Sequence, residues 1–112
     1  MSHFYDPHDR RYLRDLSAAA PEVFAAFTAF NDAALHRDDA AIPAKYRELM
    51  AVSVALTTQC PFCIEAHTKA AKEAGATPAE LAETVGIAMA LRAGAAIMHG
   101  AEAGKFYAGV DE

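Results

Sequence analysis

The chain has 112 residues, enough for one domain with a real but modest core. It is 54% hydrophobic and 22% charged, an ordinary globular composition, and carries a net charge of −5. With no basic cluster to neutralise phosphates, that charge excludes nucleic acid as an expected partner. The opening stretch, MSHFYDPHDRRYLRD, is polar and lacks the apolar core of a secretory signal. The least charged runs, Leu49–Ile64 and Ala93–Ala101, fall short of a membrane span and contain polar breaks. The expected location is therefore cytoplasmic, with no membrane association.

Residues 1–8 read as a loosely ordered lead-in, and the tail 109–112 as frayed, at the ends of a single domain spanning 1–112. Asp9 to about Ala18 predicts a short helix with Tyr12, Leu13 and Leu16 on its apolar side. Pro21 and Glu22 suit a second helix start, after which Val23, Phe24, Phe27, Phe30, Ala34 and Leu35 recur at helical spacing. Such an aromatic stripe is expected to pack into the core. His36 closes that helix, and Ile42-Pro43 opens a third, from about Ala44 to Thr58.

Gly75-Ala76-Thr77-Pro78 is the clearest punctuation in the chain. Gly75 suits the position just past a helix end, Thr77 an N-cap and Pro78 the first helical residue. Glu80 completes a capping box with Thr77. The helix that follows carries Leu81, Val85 and Met89, with a break or close-packing point expected at Gly94 and a last helix from about Ala95 to Tyr107. Small residues at Gly86, Ala90, Gly94, Gly100 and Gly104 argue for tight helix packing, within or between subunits. No segment alternates with period two long enough to form a strand. The fold class is all-α, a single helical domain of five or six helices.

The chemistry concentrates between Glu48 and His67, ELMAVSVALTTQCPFCIEAH. Both cysteines of the protein, Cys60 and Cys63, stand there as C-x-x-C, followed four residues later by His67 and preceded twelve residues earlier by Glu48. In a reducing compartment such a pair is a redox or metal group rather than a structural staple. Pro61 fits the first turn of a helix, which puts Cys60 near its N-cap and Cys63 in its first turn, where the helix dipole favours a thiolate. Cys63 and His67 are then i and i+4, on one face, with Glu65 and Lys69 turned elsewhere. Glu48 lies among apolar residues, where burial would fit it to accept a proton near neutral pH; an exposed carboxylate near a helix start is the other reading. One cysteine would serve as the attacking thiolate and the other would resolve the sulfenic acid or mixed disulfide formed. Exposure and the helix N-terminus favour Cys60 as the attacking thiol, while proximity to His67 and to a buried base favours Cys63. The expected assignment is the second, with Cys60 as the resolving thiol. His3 and His8 read as solvated, and His99 as a satisfied core or interface histidine.

The pattern E-(x)11-C-x-x-C-x-x-x-H, with the G-A-T-P-A-E-L-A-E segment beyond it, resembles the AhpD-like alkylhydroperoxidase family of the carboxymuconolactone decarboxylase superfamily. The resemblance implies an all-α fold and reduction of hydroperoxides by a cysteine pair cycling between dithiol and disulfide. Carried over by position, Cys60 and Cys63 would be the redox pair, with Glu48 and His67 as a proton relay and no cofactor. It also implies a homotrimer or homohexamer, and a dithiol reductant such as a lipoyl-bearing or thioredoxin-like protein. The best-known member carries a histidine inside its C-x-x-C, where this chain has Phe62, so a shorter relay is expected. The decarboxylase branch lacks the cysteine pair, so lactone decarboxylation is not expected. Two other readings use the same residues: a zinc site made of Cys60, Cys63, His67 and Glu48, and a non-enzymatic redox sensor or oligomeric scaffold.

Overall fold

A computed structural model describes residues 6–109, and among them every regular element is a helix. A 3₁₀ turn over Pro7–Tyr12 leads into α1 (Leu13–Ala19), followed by α2 (Pro21–Leu35), α3 (Ala44–Thr58), α4 (Pro61–Glu73) and α5 (Pro78–Tyr107). Part of the expected loose lead-in is therefore ordered: Asp6 caps the 3₁₀ turn by accepting from the His8 backbone N–H at 2.9 Å. Residues 1–5 and 110–112, also expected to be loose, lie outside the described residues.

The helix boundaries follow local chemistry. At the end of α4, Gly75 adopts φ +98°, its N–H donates to Lys72 O at 3.0 Å, and Ala76 N–H donates to Ala71 O at 2.9 Å. This double closure satisfies carbonyls that the helix leaves open, and a left-handed residue there favours glycine. One residue on, Thr77 Oγ1 accepts from Glu80 N–H at 3.1 Å while Glu80 Oε1 accepts from Thr77 N–H at 2.9 Å. The predicted capping box is thus formed at both of its bonds.

The interior sits where α3 packs against α4 and α5. The buried apolar residues are Leu49, Val52 and Ala55 on α3, Ala71 on α4 and Ala88 on α5. Two polar ties add to this packing. Lys45 Nζ on α3 stands 2.9 Å from Glu80 Oε2 on α5. Arg92 Nη1 on α5 donates to Thr57 O, in the last turn of α3, at 2.7 Å.

The aromatic stripe of α2 is not core: Phe30 is 73% exposed, and Val23 and Phe27 are exposed with it. Helix α2 touches α3 only lightly, so among the described residues little covers Val23, Phe27 and Phe30. The apolar side of the first helix, Tyr12, Leu13 and Leu16, is exposed as well. Gly94 does not break the chain, because α5 runs unbroken for 30 residues, and no side chain approaches where a Cβ would stand at Gly86, Gly94, Gly100 or Gly104. The close helix approach expected at these glycines is absent within the chain. His99 is not satisfied in a core either: its side chain is 78% exposed, 3.7 Å from Glu102 Oε1.

Because α5 is continuous, it is also long and apolar enough to cross a membrane by length and composition, which the run Ala93–Ala101 read by itself was not. The accessible surface reaches 8744 Å², against roughly 5,900 Å² for a compact monomer of this size. The Cα radius of gyration is 18.6 Å, where about 13 Å is usual for this length.

Candidate active site

The turn from α3 to α4 builds the site. Helix α3 ends at Gln59, which takes the left-handed conformation with φ +57° and ψ +49°. Cys60 N–H then reaches back to Ala55 O at 3.2 Å. The chain turns sharply enough for Cys60, in extended conformation, to serve as N-cap of α4 with Pro61 at the first helical position. Cys60 Sγ accepts from Cys63 N–H at 3.4 Å. A sulfur in that place receives one of the N–H groups left open by the first turn and lies at the positive end of the helix dipole. Cys60 and Cys63 are bonded to each other as a disulfide, their Cα atoms 5.3 Å apart.

Glu48 and His67 come from different helices and meet. Glu48, in the second turn of α3, is 7% exposed, so of the two readings open from sequence the structure shows the buried one. Its Oε2 lies 2.6 Å from His67 Nδ1. This bond orients the imidazole and leaves Nε2 as the ring nitrogen able to exchange a proton elsewhere. Glu65 turns away as expected, 3.8 Å from Lys69 Nζ in an exposed i,i+4 pair.

Cys63 and His67 open onto a cleft of about 640 Å³ between α3, the end of α2 and the connecting segment 36–43. Its walls are apolar and short: Ala33 and Ala34 on α2, Ala40, Ala41 and Ile42 in the connection, Ala51 on α3. Cys60 is not among the lining residues, so the two sulfurs differ in their access to this space.

Arg47 was not among the residues expected at the site. Its Nε donates to Ile42 O at 2.9 Å and its Nη1 donates to Leu35 O. Its signal was only one more charge in the charged first turns of α3, beside Lys45 and Glu48. The acceptors are backbone carbonyls, which carry no residue signature. The zinc reading finds no support in the geometry: the two sulfurs are bonded to each other, and among the described residues no three or more His, Cys, Asp or Glu side chains are placed to hold a metal ion.

The all-α fold agrees with that of a known family. The pattern of the carboxymuconolactone decarboxylase family matches residues 21–105, and the chain belongs to that family. A solved structure of a carboxymuconolactone decarboxylase family protein from Legionella pneumophila, in its apo form, superposes with a TM-score of 0.68. The two are 34% identical, covering 84% of this chain and 82% of that one. Among curated proteins, uncharacterized protein 4 in the cox locus of Paracoccus denitrificans is 41% identical over 100 residues, 89% of this chain and 86% of that protein. An uncharacterized protein from Cupriavidus necator is 32% identical over 93 residues, 83% of this chain and 80% of the other.

Proposed function

We propose that this protein is a thiol-dependent peroxidase of the AhpD-like type, reducing hydroperoxides through Cys60 and Cys63. One observation carries the reading. Cys63 and His67 share an apolar cleft, while Cys60 stands within bonding distance of Cys63 but outside that cleft. Cys63 is then the attacking thiol and Cys60 the resolving one.

His67, oriented by Glu48, takes the Cys63 proton, and the thiolate attacks the terminal oxygen of the hydroperoxide. The O–O bond breaks, Cys63 becomes a sulfenic acid, and the proton held at His67 passes to the departing alkoxide to give the alcohol. Cys60 then attacks the sulfenic sulfur, forming the disulfide and releasing water. An external dithiol, lipoyl-bearing or thioredoxin-like, exchanges with the disulfide and restores both thiols. Phe62 lies inside the C-x-x-C, so the relay consists of Glu48 and His67 alone.

The working protein is a cytoplasmic homo-oligomer, a trimer or hexamer. The large surface and the bare apolar faces of α2 and α5 support assembly, since an obligate interface removes surface of this order from each subunit. The apolar length of α5 is accordingly a face for another copy rather than a membrane span. Its N-terminal half is tied to α3 at Glu80 and Arg92.

The test is turnover of hydrogen peroxide and an organic hydroperoxide with dithiothreitol, thioredoxin or dihydrolipoamide as reductant. It is paired with sulfenic acid trapping by a dimedone probe in the Cys60→Ser and Cys63→Ser proteins. Adduct in Cys60→Ser but not in Cys63→Ser is expected. No turnover with any reductant while the disulfide still cycles would leave a redox sensor in place of an enzyme.

A further inference from the structure

Helix α2 and the segment 36–43 make one wall of the reactive cleft, yet α2 touches the rest of the chain only lightly. Something must hold that wall at a set distance from Cys63. The only side chain on α3 with described hydrogen bonds to it is Arg47. Its guanidinium spans both ends of the connection: Leu35 O is the last carbonyl of α2, and Ile42 O is the last before Pro43 restarts the helix. Leu35 O is one of the carbonyls a helix end leaves without an internal partner. A planar fork with fixed donor directions can serve two acceptors at once, which a single ammonium group does less well.

The segment between these anchors is closed on itself. Arg37 grips Asp39 with two bonds, Nε to Oδ1 at 3.0 Å and Nη2 to Oδ2 at 2.8 Å. The wall therefore behaves as a short, internally braced unit, pinned at both ends by one residue. Arg47 is half-buried, lines the cleft itself, and precedes Glu48 in the chain, so wall and proton acceptor are fixed from one turn of α3.

We propose that Arg47 is a positioning residue that sets the selectivity of the site, clamping the alanine-lined wall so that the cleft favours apolar reactants at Cys63 over small polar ones. It takes no part in bond making. Loss of the clamp lets the wall move away and water enter, which removes the apolar contact without altering the sulfur, His67 or Glu48. The inference rests on Cys63 being the accessible thiol, as in the function proposed above, but not on peroxidase activity.

The experiment uses the reduced full-length protein in a Cys60→Ser background, where Cys63 is the remaining thiol. Alkylation rates are measured with iodoacetamide, small and polar, and with N-phenylmaleimide, apolar and bulkier, each normalised to its rate with free cysteine. The expected result is a preference for the maleimide in the Arg47-containing protein. That preference should fall about tenfold in Arg47→Ala, with the iodoacetamide rate changed less than twofold. Arg47→Lys, which keeps the charge and the aliphatic stem and so protects folding, is expected to lose most of the preference too; it decides the matter if the alanine variant does not fold. Absence of any preference before substitution, equal loss of both rates, or full retention of the preference in Arg47→Lys overturns the proposal. In the peroxidase assay, with Cys60 present, Arg47→Ala and Arg47→Lys should raise KM for cumene hydroperoxide by a larger factor than they change kcat. If no hydroperoxide is turned over by the wild-type protein, the proposed function fails while the alkylation ratio still tests Arg47.

Discussion

Helices α3, α4 and the first half of α5 hold every buried residue found among those described, Glu48 included; α1, α2 and the second half of α5 hold none. Both regions are rich in apolar residues. They differ in what lies against them. In the first, three helices converge and each covers the others, so leucine, valine and alanine leave water and a carboxylate can be kept beside an imidazole. In the second, single helices run out with Phe27, Phe30, Ile97, Met98 and Phe106 bare. The proposed catalytic side chains need fixed distances, and all four stand on α3, on α4 or at its N-cap, in the region that one chain packs by itself. The outlying helices leave apolar surface exposed, which is where the proposed assembly would form.

The largest effect expected is at the sulfurs. Cys63→Ser removes the attacking thiol and should take hydroperoxide turnover to background while leaving helicity and assembly unchanged. Far-ultraviolet circular dichroism and sedimentation measured on the same sample check both halves of that statement. If turnover persists, Cys60 is the peroxide-reactive residue and the cleft is not where peroxide is reduced.

Next comes the buried pair. Glu48→Gln keeps the shape of the side chain but removes its charge and its ability to take up a proton from His67. Positioned acid–base groups contribute about 10²-fold or more to a rate, so kcat/KM should drop on the order of 10²-fold. The drop should be accompanied by slower alkylation of Cys63 at neutral pH. An unchanged alkylation rate would mean that His67 supports the thiolate without Glu48.

How much of this was readable beforehand depended on whether a residue type declares its own job. Thr77, Pro78, Glu80 and Gly75 do so, since caps and stops are local, and the α4–α5 corner forms as expected. Cys60, Cys63, Glu48 and His67 were gathered by spacing; the structure bonds Cys60 to Cys63 and pairs Glu48 with His67 across 19 positions. Gly94 misled because a glycine inside a helix costs only about 1 kcal/mol against alanine, and the alanines around it supply neither a stop nor a new cap. The α2 stripe misled for another reason: periodicity identifies the apolar face of a helix but not what covers it. Arg47 was passed over because its partners are carbonyls far along the backbone.

The contrast between regions can be tested by one substitution in each. Val52, 1% exposed at the centre of α3, should cost about 1–3 kcal/mol when cut to alanine, through lost burial and the cavity left behind. That loss should appear as a lowered melting temperature at every protein concentration. Phe30→Ser on α2 removes no contact of the interior. It should instead shift the sedimentation profile toward smaller species and make the melting temperature depend on concentration. A Phe30→Ser protein that sediments like the wild type would move the meeting point of the copies to the distal half of α5.

The smallest effect belongs to the corner that starts α5. Thr77→Ala removes the cap and should cost about 1 kcal/mol. Within the same corner, the Glu80 carboxyl is held below its ordinary value of 4.5, first by the Thr77 backbone N–H and then by Lys45. A carboxyl depressed by folding adds stability that is fully present above its unfolded value and fades as pH falls through the lower folded value. Glu80→Gln can still accept the backbone bond but carries no charge, so its stability deficit against wild type should be constant above about pH 4.5 and shrink on further acidification. Because Lys45 and Glu80 tie α3 to α5 inside the self-completed region, the deficit should not vary with protein concentration. A concentration-dependent deficit would mean that the start of α5 is itself shared between copies, and the line between the two regions would have to be drawn nearer to α3.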